Sequence, residues 1–327
     1  MRKDLLETQK AIISILVYFD LFDYPLIFNE ISRFLPIKRT DSELEEGIIN
    51  LLFGKKIFLI QDFYLLRDDK GLVDRRIKGN RKAMEMMKKA ERIGEFLSQV
   101  PFIKGLGISG SLSKNYADHT SDIDHFLIIK RNRLWLARGI LFFLRKIAIM
   151  LGRKDDFCLN YFIDEDGLQI KDKNIYTAME LITLANPMGN EVYENFLESN
   201  TWAMDFFPNY PYTSIKAKKI KENHLKRTIE KFLDNRFGDY LNMLCMRLNT
   251  YLWDRDKQLG KRDSKNQVRV VVFDQHCTKL NPMNFQEVFL VNYEKKLSEL
   301  FEKIDFPITS SSGPIAGSSF GIHKKVS

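Results

Sequence analysis

The chain has 327 residues, enough for two or three domains, and 44% of them are hydrophobic and 29% charged. This ordinary globular composition excludes a disordered or collagen-like protein. Lys and Arg number 51 against 43 Asp and Glu, and the resulting net charge of +8 favours phosphate-bearing partners. The three cysteines are far apart and form no CxxC pair, so neither a disulfide framework nor a zinc site is predicted.

Residues 1–70 are predicted to form a compact helical unit that ends in a hairpin. Apolar residues at helical spacing predict three helices: 3–19, 27–35, and one capped by Thr40 or Asp41 that ends at Phe53. Two apolar runs on either side of Gln61-Asp62 predict a two-stranded hairpin. Three helices followed by such a hairpin resemble a winged-helix domain.

Winged-helix domains often bind DNA through their third helix, but the charges here make DNA an unexpected partner. Residues 1–70 carry ten basic and twelve acidic side chains. The third predicted helix contains Asp41, Glu43, Glu45 and Glu46, which DNA phosphates would repel. We therefore expect a packing or protein-contact module.

The rest of the chain is predicted to divide into three parts. These are a core with a leading linker helix over 71–175, a helical C-terminal domain over 176–308, and a small, polar, flexible tail over 309–327. The most apolar segment, 134–151, contains three basic residues, so it is predicted to be a buried or amphipathic helix and not a membrane span. The first residues lack a signal-peptide pattern, and we expect a soluble, cytoplasmic protein with no membrane partner.

The segment 106–129 carries the residues with the clearest chemical meaning. An apolar strand ends in Gly110-Ser111, and after a spacer of ten residues Asp122 and Asp124 open a second apolar strand. Because alternate residues of a strand share a face, the two aspartates are predicted to point the same way. A hard cation such as Mg²⁺ relieves the repulsion between two such carboxylates and binds phosphate as well. Gly110 permits close backbone approach, and Ser111 and its amide are candidates to hold phosphate oxygens.

This arrangement resembles the nucleotidyltransferase superfamily that includes DNA polymerase beta and the antibiotic adenylyltransferases. The family pattern is a strand, Gly-Ser, a spacer of about this length, and Asp-x-Asp before hydrophobic residues. Gly110 and Ser111 match the phosphate-holding pair, Asp122 and Asp124 match the metal ligands, and Ser121 completes the common Ser-Asp-x-Asp form. The resemblance covers roughly residues 73–165.

The resemblance implies an α+β fold, in which a small mixed sheet with flanking helices lies between the winged-helix-like and helical domains. It implies transfer of a nucleoside monophosphate from a nucleoside triphosphate to an acceptor, with release of pyrophosphate, assisted by Mg²⁺ or Mn²⁺. The acceptor stays open between a small molecule, a protein hydroxyl and an RNA end. Lys114, in the spacer, is the basic residue nearest to the expected triphosphate.

A third carboxylate, which family members place on a later strand, is not found in its expected place. The next predicted strand, 157–163, carries Asn160 there, and an amide is not a useful general base. Asp156 has the same parity at the start of that strand. Either Asp156 replaces the missing acid, or the site is weakened or inactive.

Two other functions remain open. One is a protein that binds a nucleotide or nucleic acid without turnover, and the other is a winged-helix regulator with a nucleotidyltransferase-like sensor domain. Between residues 130 and 154 the chain has eight basic and no acidic residues, which favours phosphate contact. His125 has the parity of the core, Asp164 is expected in a turn, and His276 has no second ligand cluster nearby in the sequence.

Overall fold

The structure is a computed structural model that describes residues 2–150, 152, 158–212, 216–258, 269–282 and 285–304. The helices of these residues are α1 (Arg2–Asp20), α2 (Phe28–Phe34), α3 (Asp41–Phe53), α4 (Lys70–Ser98), α5 (Gly110–Ser113), α6 (Leu134–Met150), α7 (Ile175–Ile182), α8 (Asn190–Ser199), α9 (Ala203–Phe206), α10 (His224–Leu233), α11 (Arg236–Gln258) and α12 (Phe285–Lys303). The strands are β1 (Phe58–Ile60), β2 (Phe63–Leu65), β3 (Ile103–Ser109), β4 (Asp124–Ile129), β5 (Cys158–Asp164), β6 (Ala185–Met188), β7 (Arg269–Phe273) and β8 (Cys277–Pro282). Within these ranges, no helix combines the length and the apolarity that crossing a membrane requires.

The described strands other than β1 and β2 form one mixed sheet in the order β6-β3-β4-β5-β8-β7. β4 and β5 run parallel, whereas the other neighbouring strands of this sheet are antiparallel. The chain is therefore α+β, as predicted from its sequence. Ser109, the last residue of β3, pairs with Asp124, the first residue of β4. The Gly110-Ser111 turn and the two aspartates therefore meet at the same end of the β3–β4 pair.

Helices cover both faces of the sheet. Phe126 and Ile128 of β4 belong to one core, which also contains residues of α1, α2, α3, α7, α8 and α12. Leu127 and Ile129 belong to a second core on the other face, with residues of α4 and α6. Since both faces are buried, β4 is a continuous apolar run instead of an alternating one.

The N-terminal unit has the three helices and the hairpin that the sequence predicts. Thr40 caps α3, because its hydroxyl accepts from the Glu43 amide while the Glu43 carboxylate accepts from the Thr40 amide. The unit is attached to α4 by Arg76, whose guanidinium donates to Glu30 at 2.6 Å and lies 3.5 Å from the ring centre of Tyr24. The N-terminal helices thus share a core with the sheet and are fixed to the linker helix.

The region after residue 175 differs from the predicted helical domain, because it contributes β6, β7 and β8 to the central sheet. β6 is an edge strand that contains Pro187, and edge strands tolerate proline because one side of the strand needs no donor. β8 pairs with β5, with Lys279 opposite Tyr161. Short strands of this kind carry little periodicity. The prediction of a helical domain over 176–308 therefore followed the helical periodicity of the longer segments around them. The predicted tail, 309–327, lies outside the described residues.

A buried lysine attaches α10 to the start of β3. Lys226 is fully buried, and its ammonium nitrogen donates to the carbonyl oxygens of Ser98 at 2.8 Å and Ile103 at 2.7 Å. One turn later, Glu230 accepts from the backbone N–H of Phe102 at 2.6 Å. Burial lowers the pKa of Lys226 to about 8. α10 is therefore held to the sheet by polar contacts that are shielded from water.

Replacing Lys226 by methionine is expected to lower the free energy of unfolding by about 2–3 kcal/mol, because two buried carbonyl groups lose their donor. Lys231→Met, at an exposed position of the same helix, should change it by less than about 0.5 kcal/mol. Urea unfolding followed by circular dichroism measures both values. Equal stabilities for the two variants would contradict the structural role of Lys226.

The difference in free energy of unfolding between the wild type and Lys226→Met should change with pH in a definite direction. Between the folded pKa of about 8 and the usual value of 10.5, the unfolded chain binds more protons at Lys226 than the folded chain does. The wild type should therefore gain free energy of unfolding relative to Lys226→Met as the pH rises from 8 towards 10. A difference that falls over this range would contradict the burial of the ammonium group.

Candidate functional site

Gly110 lies in direct contact with the carboxylate of Asp124. Its φ angle is +72°, a left-handed conformation that side chains disfavour. A β-carbon at this position would lie 2.5 Å from the Asp124 Oδ2 atom, which is closer than non-bonded atoms approach. Both the backbone conformation and the close contact with the acid therefore require glycine at this corner, where β3 ends beside the start of β4.

The two aspartates follow the predicted alternation. Ile123 and His125 are buried, whereas Asp122 and Asp124 are half-buried. β4 begins at Asp124, so Asp122 lies in the extended segment just before the strand and not in the strand itself. His125 is fully buried, and burial lowers its pKa to about 4, which is the behaviour of a neutral core histidine.

Glu180 brings a further carboxylate to the same corner. Its Oε2 atom accepts from the backbone N–H of Gly110 at 3.3 Å, and its Oε1 atom accepts from the Lys114 ammonium at 2.7 Å. Sequence reasoning missed this acid because it looked for one on a later strand, whereas Glu180 lies on α7. The sequence does contain one indication of its role, because Glu180 is the one charged residue in the apolar helix IYTAMELI.

The charges of these carboxyl groups act on two tyrosines. Burial raises the pKa of Tyr176 well above its usual range, and the charges of Glu180 and Asp124 raise it further. Burial followed by the charge of Glu180 has the same effect on Tyr18. Tyr176 lies four residues before Glu180 on α7, so the tyrosine and this acid share one side of the helix.

Lys114 lies at the same corner, as expected for the basic residue of the spacer. Its ammonium donates to the carbonyl of Gly110 at 3.1 Å as well as to Glu180. The hydroxyl of Tyr24, from the N-terminal unit, donates to the backbone carbonyl of Lys114. The N-terminal unit therefore touches the spacer of the motif, a contact that no sequence pattern indicated.

The two serines of the motif differ in their surroundings. Ser111 is exposed in the four-residue helix α5, where its hydroxyl is accessible to a ligand. The Ser121 hydroxyl donates to the carboxylate of Asp118 at 3.1 Å and accepts from the Asp118 amide at 2.8 Å. Ser121 thus closes the turn before the aspartates, and its hydroxyl is engaged within the protein.

The sequence offers two candidates for the third position of the site on the later strand, Asp156 and Asn160. Asp156 lies outside the described residues. Asn160 is in β5, where Asp124 pairs with Cys158 and the register then shifts between His125 and Phe126. The pairing passes over Asn160, so this residue is at a β-bulge, an irregularity that is common beside active sites.

A second group of potential metal ligands lies at the opposite end of the β4–β5 pair. His276 Nδ1 is 3.0 and 3.1 Å from the two oxygens of Asp164, and one ligand atom each of Asp164, Asp166 and His276 lies within 4.8 Å of the others. Burial raises the pKa of Asp164, which also accepts from the amides of Asp166 and Gly167. Asp164 was expected in the turn but is the last residue of β5, and its contacts close the turn that follows and hold the β7–β8 hairpin through His276. The group could hold a cation, but its hydrogen bonds have a structural purpose without one.

No family model matches the chain, and no curated protein or solved structure matches it. Function must therefore be inferred from the side chains of the site, since a fold alone does not identify an activity. The corner of Gly110, Asp124 and Glu180 offers oxygen ligands, which suit Mg²⁺ or Mn²⁺ and not a soft metal.

The contact between Gly110 and Asp124 can be tested by adding one methyl group. Gly110→Ala is expected to lower the free energy of unfolding by about 1–2 kcal/mol from the positive φ angle, and by more because the β-carbon displaces Asp124. Gly152→Ala is the matched control, since Gly152 has a φ of +74° but no atom within 4 Å of the added carbon. Chemical unfolding of both variants separates strain from crowding, and equal losses would contradict a tight contact at Gly110.

Proposed function

We propose that the chain is a nucleotidyltransferase, which moves a nucleoside monophosphate from a nucleoside triphosphate to an acceptor. The observation that carries the proposal is the close approach of the Gly110 backbone to the Asp124 carboxylate. In the nucleotidyltransferase superfamily, which the sequence resembles, the Gly-Ser turn holds the phosphates and the Asp-x-Asp pair holds the metal. The two motifs therefore have to lie in contact, as Gly110 and Asp124 do. A surface Asp-x-Asp pair with no such corner would not support the proposal.

Asp122 and Asp124 are the residues that would hold Mg²⁺ or Mn²⁺, and Glu180 lies at the same corner through its bond to the Gly110 amide. Carboxylate oxygens suit these hard ions, and a β-carbon at Gly110 would fill part of the space beside Asp124. When bound, the cation neutralises phosphate charge and lowers the pKa of the acceptor hydroxyl. In this proposal, Glu180 on helix α7 takes the role of the third carboxyl group that was expected on a strand, once it exchanges its present partners.

The chain's own groups would orient the substrate at this corner. The Lys114 ammonium would reach a phosphate oxygen there, where it neutralises Glu180 in the structure. The exposed side chain of Ser111 would offer a donor to the triphosphate. The acceptor is not assigned.

One observation favours the alternative of binding without turnover. Both carboxylate oxygens of Glu180 are already engaged, by Lys114 and by the Gly110 amide. An acid held in this way has to exchange partners before it can serve as a metal ligand or a general base. DNA is not proposed as a ligand of the N-terminal unit, because Asp41, Glu43, Glu45 and Glu46 are all exposed on α3.

Transfer is tested with α-phosphate-labelled nucleoside triphosphates, Mg²⁺ and a mixture of small-molecule, protein and RNA acceptors. Asp124→Asn is expected to lower the transfer rate at least about 100-fold, and Glu180→Gln at least about 10-fold, because each removes a negative ligand of the cation. Asp62→Asn, an exposed aspartate in the β1–β2 hairpin, is the control and should transfer at the wild-type rate.

Calorimetry separates the proposed activity from binding alone. Metal-dependent nucleotide binding by the wild type that is lost in Asp122→Asn plus Asp124→Asn, without any label transfer, would favour the binding protein. Nucleotide binding that is unaffected by this double substitution would contradict both functions at this site.

A further inference from the structure

Helix α11 exposes a stripe of large apolar side chains along one side. The stripe consists of Phe237, Tyr240, Leu244, Leu248 and Tyr251, which are 55%, 55%, 47%, 55% and 63% exposed. The other side of α11 packs into the second core through Met246 and Trp253. The stripe is therefore an additional apolar face, which is uncovered within the part of the chain that the structure describes.

The stripe has a symmetrical spacing around Leu244. Its residues follow one another at intervals of three, four, four and three positions, so the order reads the same from either end of the helix. At 3.6 residues per turn, all five side chains fall within about 80° of the helix surface. A stripe with this symmetry matches a second copy of itself that runs in the opposite direction, as a two-fold interface requires.

We propose that α11 is the interface of a homodimer, in which the α11 helices of two copies pack antiparallel with the two-fold axis at Leu244. This arrangement places Phe237 opposite Tyr251 of the second copy, and Tyr240 opposite Leu248 of the second copy. Leu244 faces its own counterpart. The resulting contact is continuous over about four turns of each helix.

Charged residues beside the stripe agree with this pairing. Arg236 and Asp254 are eighteen residues apart, which is five full turns, so they lie on the same side of the stripe at its two ends. The two-fold axis brings Arg236 of one copy beside Asp254 of the second copy at both ends of the contact.

The stripe supplies much of the area that a stable dimer needs. Side chains that are about half exposed leave roughly 100 Å² each, so the five side chains of the stripe present roughly 500 Å². A standard interface takes about 800 Å² from each partner. The stripe therefore provides more than half of such an interface from a single helix.

Sedimentation velocity of the full chain tests the proposal independently of any catalytic activity. The wild type should be a dimer at about 10 µM. Leu244→Glu should raise the dimer dissociation constant about 30-fold or more, because two like charges would meet at the axis. Leu59→Glu is the matched control, since Leu59 is also 47% exposed but lies in the β1–β2 hairpin, and it should leave the dimer intact.

A mixture of opposite charges tests the position of the axis. Leu244→Glu and Leu244→Lys should each be monomeric alone and should form a heterodimer when mixed, because each residue then faces its complement. Circular dichroism checks that both variants are folded. A monomeric wild type would overturn the proposal, as would a dimer that survives Leu244→Glu or variants that do not pair. Binding of a monomeric wild type to anionic vesicles would identify the stripe as a membrane surface instead.

Discussion

Carboxyl groups meet a glycine backbone at the corner between β3 and β4, and the proposed chemistry depends on this contact. Asp124 lies so close to Gly110 that no side chain fits there, and Glu180 bonds to the amide of the same glycine. Acids that face one small region repel one another unless a cation lies between them. Lys114 supplies one positive charge, and a divalent ion with its nucleotide would supply more. The corner thus brings carboxyl groups and a lysine together around the backbone of one glycine.

The rest of the fold keeps this corner in place. The antiparallel pairing of β3 with β4 brings Ser109 and Asp124 together, and α7 carries Glu180 to them from one face of the sheet. The N-terminal helices belong to the core on that same face, and Tyr24 bonds to the backbone of Lys114. The N-terminal unit therefore contributes to the surroundings of the site and is not simply an appended domain.

The sequence predicted those parts of the fold that depend on local patterns. Helical periodicity and caps gave α1 to α4, and the apolar runs around Gly110 and Asp124 gave β3, β4 and their motif. Glu180 was missed because its approach to Gly110 depends on how α7 packs, across 70 residues of chain, which no local spacing encodes. Strands β6 and β8 were missed for a similar reason, since tertiary pairing and not periodicity makes them strands. The meeting of Asp164 and His276 is a further long-range contact, between residues 112 positions apart.

Diffraction from crystals grown with Mn²⁺ and a non-hydrolysable nucleoside triphosphate is the most direct test of the central claim. The anomalous signal of Mn²⁺ identifies the cation without assumptions about the nucleotide. The proposed site predicts a peak about 2.1–2.2 Å from an oxygen of Asp124, with the triphosphate beside Gly110 and Ser111. A peak found solely at Asp164 and His276, or a nucleotide bound away from Gly110, would contradict it.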